Sequence, residues 1–128
     1  MHSLLEWIDE IKKSDCTIVV EGINDKNALA SEGILNIIAI SGMPIHKAVE
    51  SIAEIKKEVI ILTDLDKEGK KLYSILRHQL QKHGVKIDTS FREFLFKETT
   101  LTHIEGLTHY LRSTSYKESN IGAPVPKL

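Results

Sequence analysis

Val59-Ile60-Ile61-Leu62-Thr63-Asp64-Leu65-Asp66-Lys67-Glu68-Gly69-Lys70-Lys71 decides how the chain is read. A run of apolar, mostly β-branched residues ends in two carboxylates spaced i, i+2, and a charged helix start follows. Continuous apolarity over so few residues predicts a strand buried on both faces. Asp64 and Asp66 then emerge at its C-terminal end, where open α/β sheets place their ligands. Two carboxylates aimed into one crevice repel each other unless a cation lies between them. A divalent Mg2+ ion, which prefers hard oxygen ligands, suits that position, and Mn2+ is an alternative.

Working outward, Thr17-Ile18-Val19-Val20 is a second buried run, closed by Glu21-Gly22. Asn24 is placed to cap a helix over 24–32, which Gly33 ends. Residues 35–40 form another β-type run. Ser41-Gly42-Met43-Pro44 turns into a helix with Ile45, Ala48, Val49 and Ile52 on one face. The strand of the opening stretch spans 58–63. The helix after it spans 67–82, buries Leu72, Ile75, Leu76 and Leu80, and stops at Gly84. A short strand follows at 85–87. Before all of these, residues 2–13 read as an amphipathic helix with Leu4, Leu5, Ile8 and Ile11 at helical spacing and Trp7 on the flank. After Asp88, Phe91, Phe94 and Phe96 suggest a helical segment packing on the sheet, and another helix is expected near 104–111. Strands alternating with helices imply right-handed crossovers. The expected fold class is therefore α/β, a Rossmann-like three-layer sandwich whose parallel sheet of about four strands is flanked by helices. A single domain over 1–113 is expected, with a flexible C-terminal tail over 114–128.

Composition narrows the function classes. A chain of 128 residues with 41% hydrophobic and 27% charged residues suits one globular domain and argues against disorder. Its formal net charge of -1 is unlike that of a purely electrostatic nucleic-acid binder. Any such contact must be local or assisted by metal. The single Cys16 excludes an internal disulfide, fits a reducing cytosol, and reads as a buried, inert thiol. No apolar run approaches the roughly 18 residues of a membrane span, and the N-terminus lacks a signal-peptide pattern. A cytoplasmic location is the expectation.

Each acid taken alone reads more readily as a helix cap or a solvated residue than as a site. Their conjunction is more telling: apolar strand and Glu-Gly, then, about forty residues on, apolar strand and Asp-x-Asp. Other Asp-x-Asp readings fail on the letters. An EF-hand loop opening at Asp64 needs a bidentate Glu at its twelfth position, which here is Ile75. The Thr or Val that follows the pair in haloacid-dehalogenase-type phosphatases is missing. A phosphate-cradling Gly-x-x-x-x-Gly-Lys-Ser/Thr loop is also absent.

Val19-Val20-Glu21-Gly22 with Asp25, joined to Ile60-Ile61-Leu62-Thr63-Asp64-Leu65-Asp66 with Gly69, resembles the Toprim domain over residues 15–88. That domain is shared by type IA and type II topoisomerases, bacterial primases, recombination-repair proteins, overcoming-lysogenization-defect nucleases and the ribonucleases that mature 5S rRNA. The resemblance implies Mg2+ held by the Asp pair and a Glu that transfers protons while phosphodiester bonds are made or broken. Those roles fall on Asp64, Asp66 and Glu21, with Glu21 also a candidate metal ligand. Asp25 matches the acid that follows Glu-Gly in the family, and Ser41-Gly42 occupies the glycine turn after the second strand. Small stand-alone archaeal Toprim proteins and the 5S-rRNA ribonucleases are the nearest in style, and Ile104-Glu105-Gly106 resembles a downstream motif of the latter.

Basic residues gather beside the Asp pair. Lys67, Lys70, Lys71, Arg77, Lys82 and Lys86 face a single acid, Glu68, over that stretch. Lys67, Lys70, Lys71 and Arg77 are the candidate nucleic-acid contacts, although an ordinary solvated helix face gives the same pattern. His46, His78, His83, His103 and His109 show no i, i+4 pair, so zinc is not expected, and the pattern assigns neither His103 nor His109 a place. The expected function is Mg2+-dependent phosphodiester chemistry on nucleic acid, RNA rather than DNA, of a nuclease kind. A ribosomal or ribonucleoprotein partner is compatible with it. The alternative is a non-catalytic RNA- or ribonucleoprotein-binding module, or a subunit of a larger processing complex, that uses the acidic site for binding.

Overall fold

In a computed structural model, residues 1–55 and 57–120 are described, with 114–120 as backbone only. The chain order is α1 (Leu4–Lys13), β1 (Thr17–Val20), α2 (Ile23–Ser31), β2 (Ile37–Ala39), α3 (Ile45–Ile55), β3 (Glu58–Ile61), α4 (Lys67–Lys82), β4 (Lys86–Ile87), α5 (Ser90–Glu98), a 3-10 turn (Ile104–Gly106) and α6 (Leu107–Asn120). All the strand pairings are parallel, in the order β2-β1-β3-β4. The α/β class, the four strands and the flanking helices match the reading from sequence.

Side-chain alternation explains why β1 and β3 are apolar throughout. Ile18, Val20, Ile60 and Leu62 point into one core, with Trp7, Ile8, Leu29, Leu95 and Ile104. Val19, Val59 and Ile61 point into the other, against Val49 and Ile52 of α3 and Leu76 and Leu80 of α4. A strand covered on both sides has no polar face to keep. Each fully buried Ile or Leu contributes about 2 kcal/mol from area removed from water.

The sheet order also makes the crevice. The chain leaves β1 through α2, which packs on the first core, whereas it leaves β3 through α4, which packs on the second. Neighbouring strands whose following helices go to opposite faces open a cleft between their C-terminal ends. Glu21 follows β1 and Asp64 follows β3 at that cleft, and the ladder continues past β3, with the Leu62 N–H donating to the Val19 carbonyl at 2.8 Å.

Several boundaries differ from the sequence reading, each for a local reason. The helix cap before α2 is Gly22, not Asn24: the Asp25 carboxylate reaches back to accept the Gly22 N–H at 3.0 Å. The second strand begins at Ile37, because Asn36 adopts φ 67 and Leu35 is 73% exposed. In α1 the buried stripe is Trp7, Ile8 and Ile11, and Leu5 faces outward. Trp7 moves from flank to core because its indole N–H donates to the Phe91 carbonyl at 2.8 Å and its ring meets Phe91 edge-on. Cys16 is buried, and burial pushes its thiol up, in keeping with an inert role. The stretch expected to be a tail from 114 is helical through Asn120, and 121–128 lies outside the described residues. Among the described residues no helix is long and apolar enough to cross a membrane.

Candidate metal and phosphodiester site

Asp66 is the cap of α4. Its Oδ1 accepts the Gly69 N–H at 2.8 Å, satisfying a donor that the helix leaves open. Because that oxygen is occupied, Oδ2 faces the crevice. Asp64, two residues earlier, sits where the backbone bends from strand into helix. The bend needs Gly69: a Cβ there would lie 2.1 Å from the Asp64 carbonyl oxygen. Thr63 braces the same turn by donating its hydroxyl to the Gly69 carbonyl at 2.7 Å.

Glu21 meets this loop from the neighbouring strand. Its Oε1 accepts the Asp64 N–H at 3.1 Å. Burial, with the charges of Asp64, Asp25 and Asp66 nearby, holds the Glu21 carboxyl above its ordinary value, although the Asp64 N–H works in the opposite direction. Asp25 is buried and raised for the same reasons, burial first and Asp64 next among the charges. The acids predicted from the motif spacing therefore do converge. Gly22 and Asp25 form the α2 cap, and Gly42 turns with φ 84 after β2 beside Ser41, whose N–H donates to the Glu21 carbonyl at 2.8 Å. Lys67, Lys70, Lys71 and Arg77 are all exposed along α4.

Two participants escape sequence reasoning. The first is the role of the turn around 101–106, where the sequence offers only the Ile104-Glu105-Gly106 resemblance and nothing for His103. The Leu65 N–H donates to the Thr102 carbonyl at 2.7 Å, and the Ile104 N–H donates to Asp64 Oδ1 at 2.8 Å. This turn also delivers His103, whose Nε2 lies 3.2 Å from Asp66 Oδ2 and whose Nδ1 lies 2.9 Å from Thr102 Oγ1. Asp64, Asp66 and His103 each offer a ligand atom, and the three atoms lie within 4.8 Å of one another. Glu21 is not one of that triple. The second is Arg92 of α5, buried beneath the loop. Its Nη2 donates to the Asp64 carbonyl at 2.9 Å and to Thr63 Oγ1 at 3.3 Å. Its guanidinium also stacks over Tyr73 at 4.4 Å and Phe96 at 5.0 Å. Burial lowers its pKa, while Tyr73, Asp64 and Glu21 oppose that shift.

A family model described as the Toprim domain matches residues 15–89. The chain belongs to the Toprim domain family. The match encloses Glu21, Gly22, Asp25, Asp64, Asp66 and Gly69, while Arg92 and His103 lie beyond it. A UPF0292 protein of Pyrococcus abyssi is 40% identical over 89 residues, which are 69% of this chain and 67% of that one. A protein from Aquifex aeolicus of known structure superposes with a TM-score of 0.77 at 37% identity, over 82% of this chain and 98% of that one. The zinc-binding and RNA polymerase domains of the Aquifex aeolicus primase superpose with a TM-score of 0.51 at 25% identity, covering 91% of this chain and 31% of that one. Toprim membership implies a metal-dependent function connected with nucleic acid. The donor set agrees with it, since the carboxylates of Asp64 and Asp66 share one small, open space.

Proposed function

We propose that this Toprim protein carries out Mg2+- or Mn2+-dependent phosphodiester cleavage of nucleic acid, with RNA as its substrate. The observation that carries the proposal is the meeting of Glu21, from the end of β1, with the Asp64–Asp66 loop, from the end of β3, in one crevice. Asp64 and Asp66 would hold the divalent cation, which when bound neutralises charge on the phosphoryl oxygens and orients them for in-line attack.

The chain's own groups supply the rest. Oε1 of Glu21 is engaged by the Asp64 N–H, so the proton in transit is carried on Oε2. A carboxyl held above its ordinary value is a better proton donor and acceptor near neutrality than a solvated one. The positive end of α4 opens at Asp66, and Lys67, Lys70 and Lys71 extend that field to the phosphates flanking the scissile one. Arg77 lies further along the same helix.

The test uses structured RNA with Mg2+ or Mn2+ and compares wild type with Glu21→Gln and Asp64→Asn. Wild type is expected to release cleaved product, and Glu21→Gln to lose about 10²- to 10⁴-fold in rate, the usual contribution of a general acid or base. Equal residual activity in all three proteins would refute the enzymatic reading. Salt-dependent RNA binding with no product at any metal concentration would select a binding module instead.

A further inference from the structure

His103 enters the site from outside the segment that matches the family model, which ends at residue 89. It is separated from Asp66 by 37 positions, yet its ring is held at both nitrogens. The turn that carries it is itself fastened to the acid loop on either side of His103, through the Thr102 carbonyl and the Ile104 N–H. A half-exposed histidine fixed this firmly has lost rotamer freedom that an ordinary surface histidine keeps.

The spacing of the donor atoms has a meaning of its own. In an octahedral shell with metal–ligand distances of about 2.1 Å, adjacent donors stand roughly 3.0 Å apart and opposite donors about 4.2 Å apart. The 3.2 Å between His103 Nε2 and Asp66 Oδ2 is the spacing of adjacent donors. The 4.8 Å bound on the Asp64, Asp66 and His103 atoms lies within a small relaxation of the whole range. Oδ1 of Asp64 is taken by the Ile104 N–H and Oδ1 of Asp66 by the Gly69 N–H, which leaves one oxygen of each carboxylate free to join the imidazole. The ring that meets Asp66 Oδ2 through Nε2–H would give up that proton on ligating an ion; donating Nδ1–H to Thr102 Oγ1 instead, it would present the Nε2 lone pair to that shared space, and an outer partner of this kind commonly orients a ligating histidine.

We propose that His103 is an inner-sphere ligand alongside Asp64 and Asp66, and that its nitrogen makes the site favour Mn2+ or Co2+ over Mg2+. The inference rests on the proposed metal function and adds to it the class of ion. Mg2+ takes oxygen donors and gives up water reluctantly, whereas later first-row ions accept imidazole and bind more tightly along the series.

The metal-free full chain is titrated calorimetrically with Mn2+, Co2+ and Mg2+, and the Mn2+-loaded protein is examined by pulsed electron paramagnetic resonance for ¹⁴N coupling. Wild type is expected to bind Mn2+ more tightly than Mg2+ and to show a directly bound nitrogen. His103→Ala should abolish that coupling and weaken Mn2+ by at least about tenfold, the scale on which even outer-shell partners act. Its Mg2+ affinity should change little. Because the ¹⁴N signature is read in wild type, it does not depend on any variant folding. If Mn2+ binds and Asp64→Asn weakens it, but no nitrogen coupling appears and His103→Ala binds normally, the role of His103 is refuted and the carboxylate site stands. If wild type binds no divalent cation, both readings fall.

Discussion

Replacing Gly69 with alanine tests the architecture of the acid loop. In an exposed helix interior the change normally stabilises by up to about 1 kcal/mol, because glycine carries the larger entropic cost. Here the new methyl would lie 2.1 Å from the Asp64 carbonyl oxygen, 2.6 Å from its carbon and 2.9 Å from its Cα. These are backbone atoms, so no side chain can swing away, and either the loop or the first turn of α4 must move by about 1 Å to restore van der Waals distance. Forcing a group into a packed site costs about 1–3 kcal/mol. The same movement strains the Gly69 N–H bond to Asp66 Oδ1, and losing a cap costs about 1 kcal/mol more. Setting the helix gain against these costs leaves a net destabilisation of about 2 kcal/mol, or a melting temperature lower by about 8 °C for a chain of this size. Thermal unfolding by circular dichroism reads that shift, and calorimetric titration with Mn2+ reads the accompanying loss of affinity. A Gly69→Ala protein that melts at or above wild type and binds metal equally well would refute the claim that this close approach sets the positions of Asp64 and Asp66.

Other outcomes follow from the groups beneath and beside the loop. Arg92→Met removes two hydrogen bonds to the loop and a stacked cation, and should destabilise by about 2 kcal/mol, even though it also relieves a buried charge. Urea unfolding at unchanged m-value would show it, and a variant as stable as wild type would mean that the charge costs as much as the contacts contribute. Glu21 is raised in the folded protein, so that state binds more protons than the unfolded one in a window that opens at the ordinary value of 4.5 and extends upward. In metal-free protein the Glu21 penalty is absent below that window and present in full above it. Glu21→Gln should therefore match wild type in acid and become the more stable of the two as pH rises, with added Mg2+ or Mn2+ narrowing the gap. A difference that grows toward acid would contradict the sign.

Much of the fold was legible because local and tertiary signals agree. The helix read over 67–82 is α4 to the residue: its apolar period, the Asp66 cap and the glycine after its end give the same answer. β1 and β3 were legible because a strand covered on both faces leaves only apolar letters. β2 was read too long, although Asn36 carries a sign of the break: asparagine is among the few non-glycine residues that readily take a left-handed backbone, and it does so just ahead of the pairing with β1. The convergence of Glu21 with the Asp pair was legible through motif spacing. His103 was not, because it reaches Asp66 only through a turn fastened by backbone groups, and backbone hydrogen bonds leave no letter to read. Arg92 was hidden differently: an arginine among phenylalanines on a short helix reads as a surface residue, and only the fold puts the Asp64 carbonyl above it.

The turn at 101–106 also has a bearing on the order in which the molecule is completed. Every strand of the described sheet is synthesised before it. A nascent chain that has exposed residues through β4 holds all the strand partners of its sheet, yet it still lacks Leu95 and Ile104 from the first core, Asp64 Oδ1 has no Ile104 N–H to accept and Asp66 has no His103 beside it. Asp66 then keeps its bond to the Gly69 N–H, while Asp64 Oδ1 and Asp66 Oδ2 lack the partners that the turn supplies. The acid loop thus receives its last fastening from a segment some forty residues downstream of the motif, and a product ending near residue 100 would lose both that fastening and the Ile104 and Leu107 side chains of the first core.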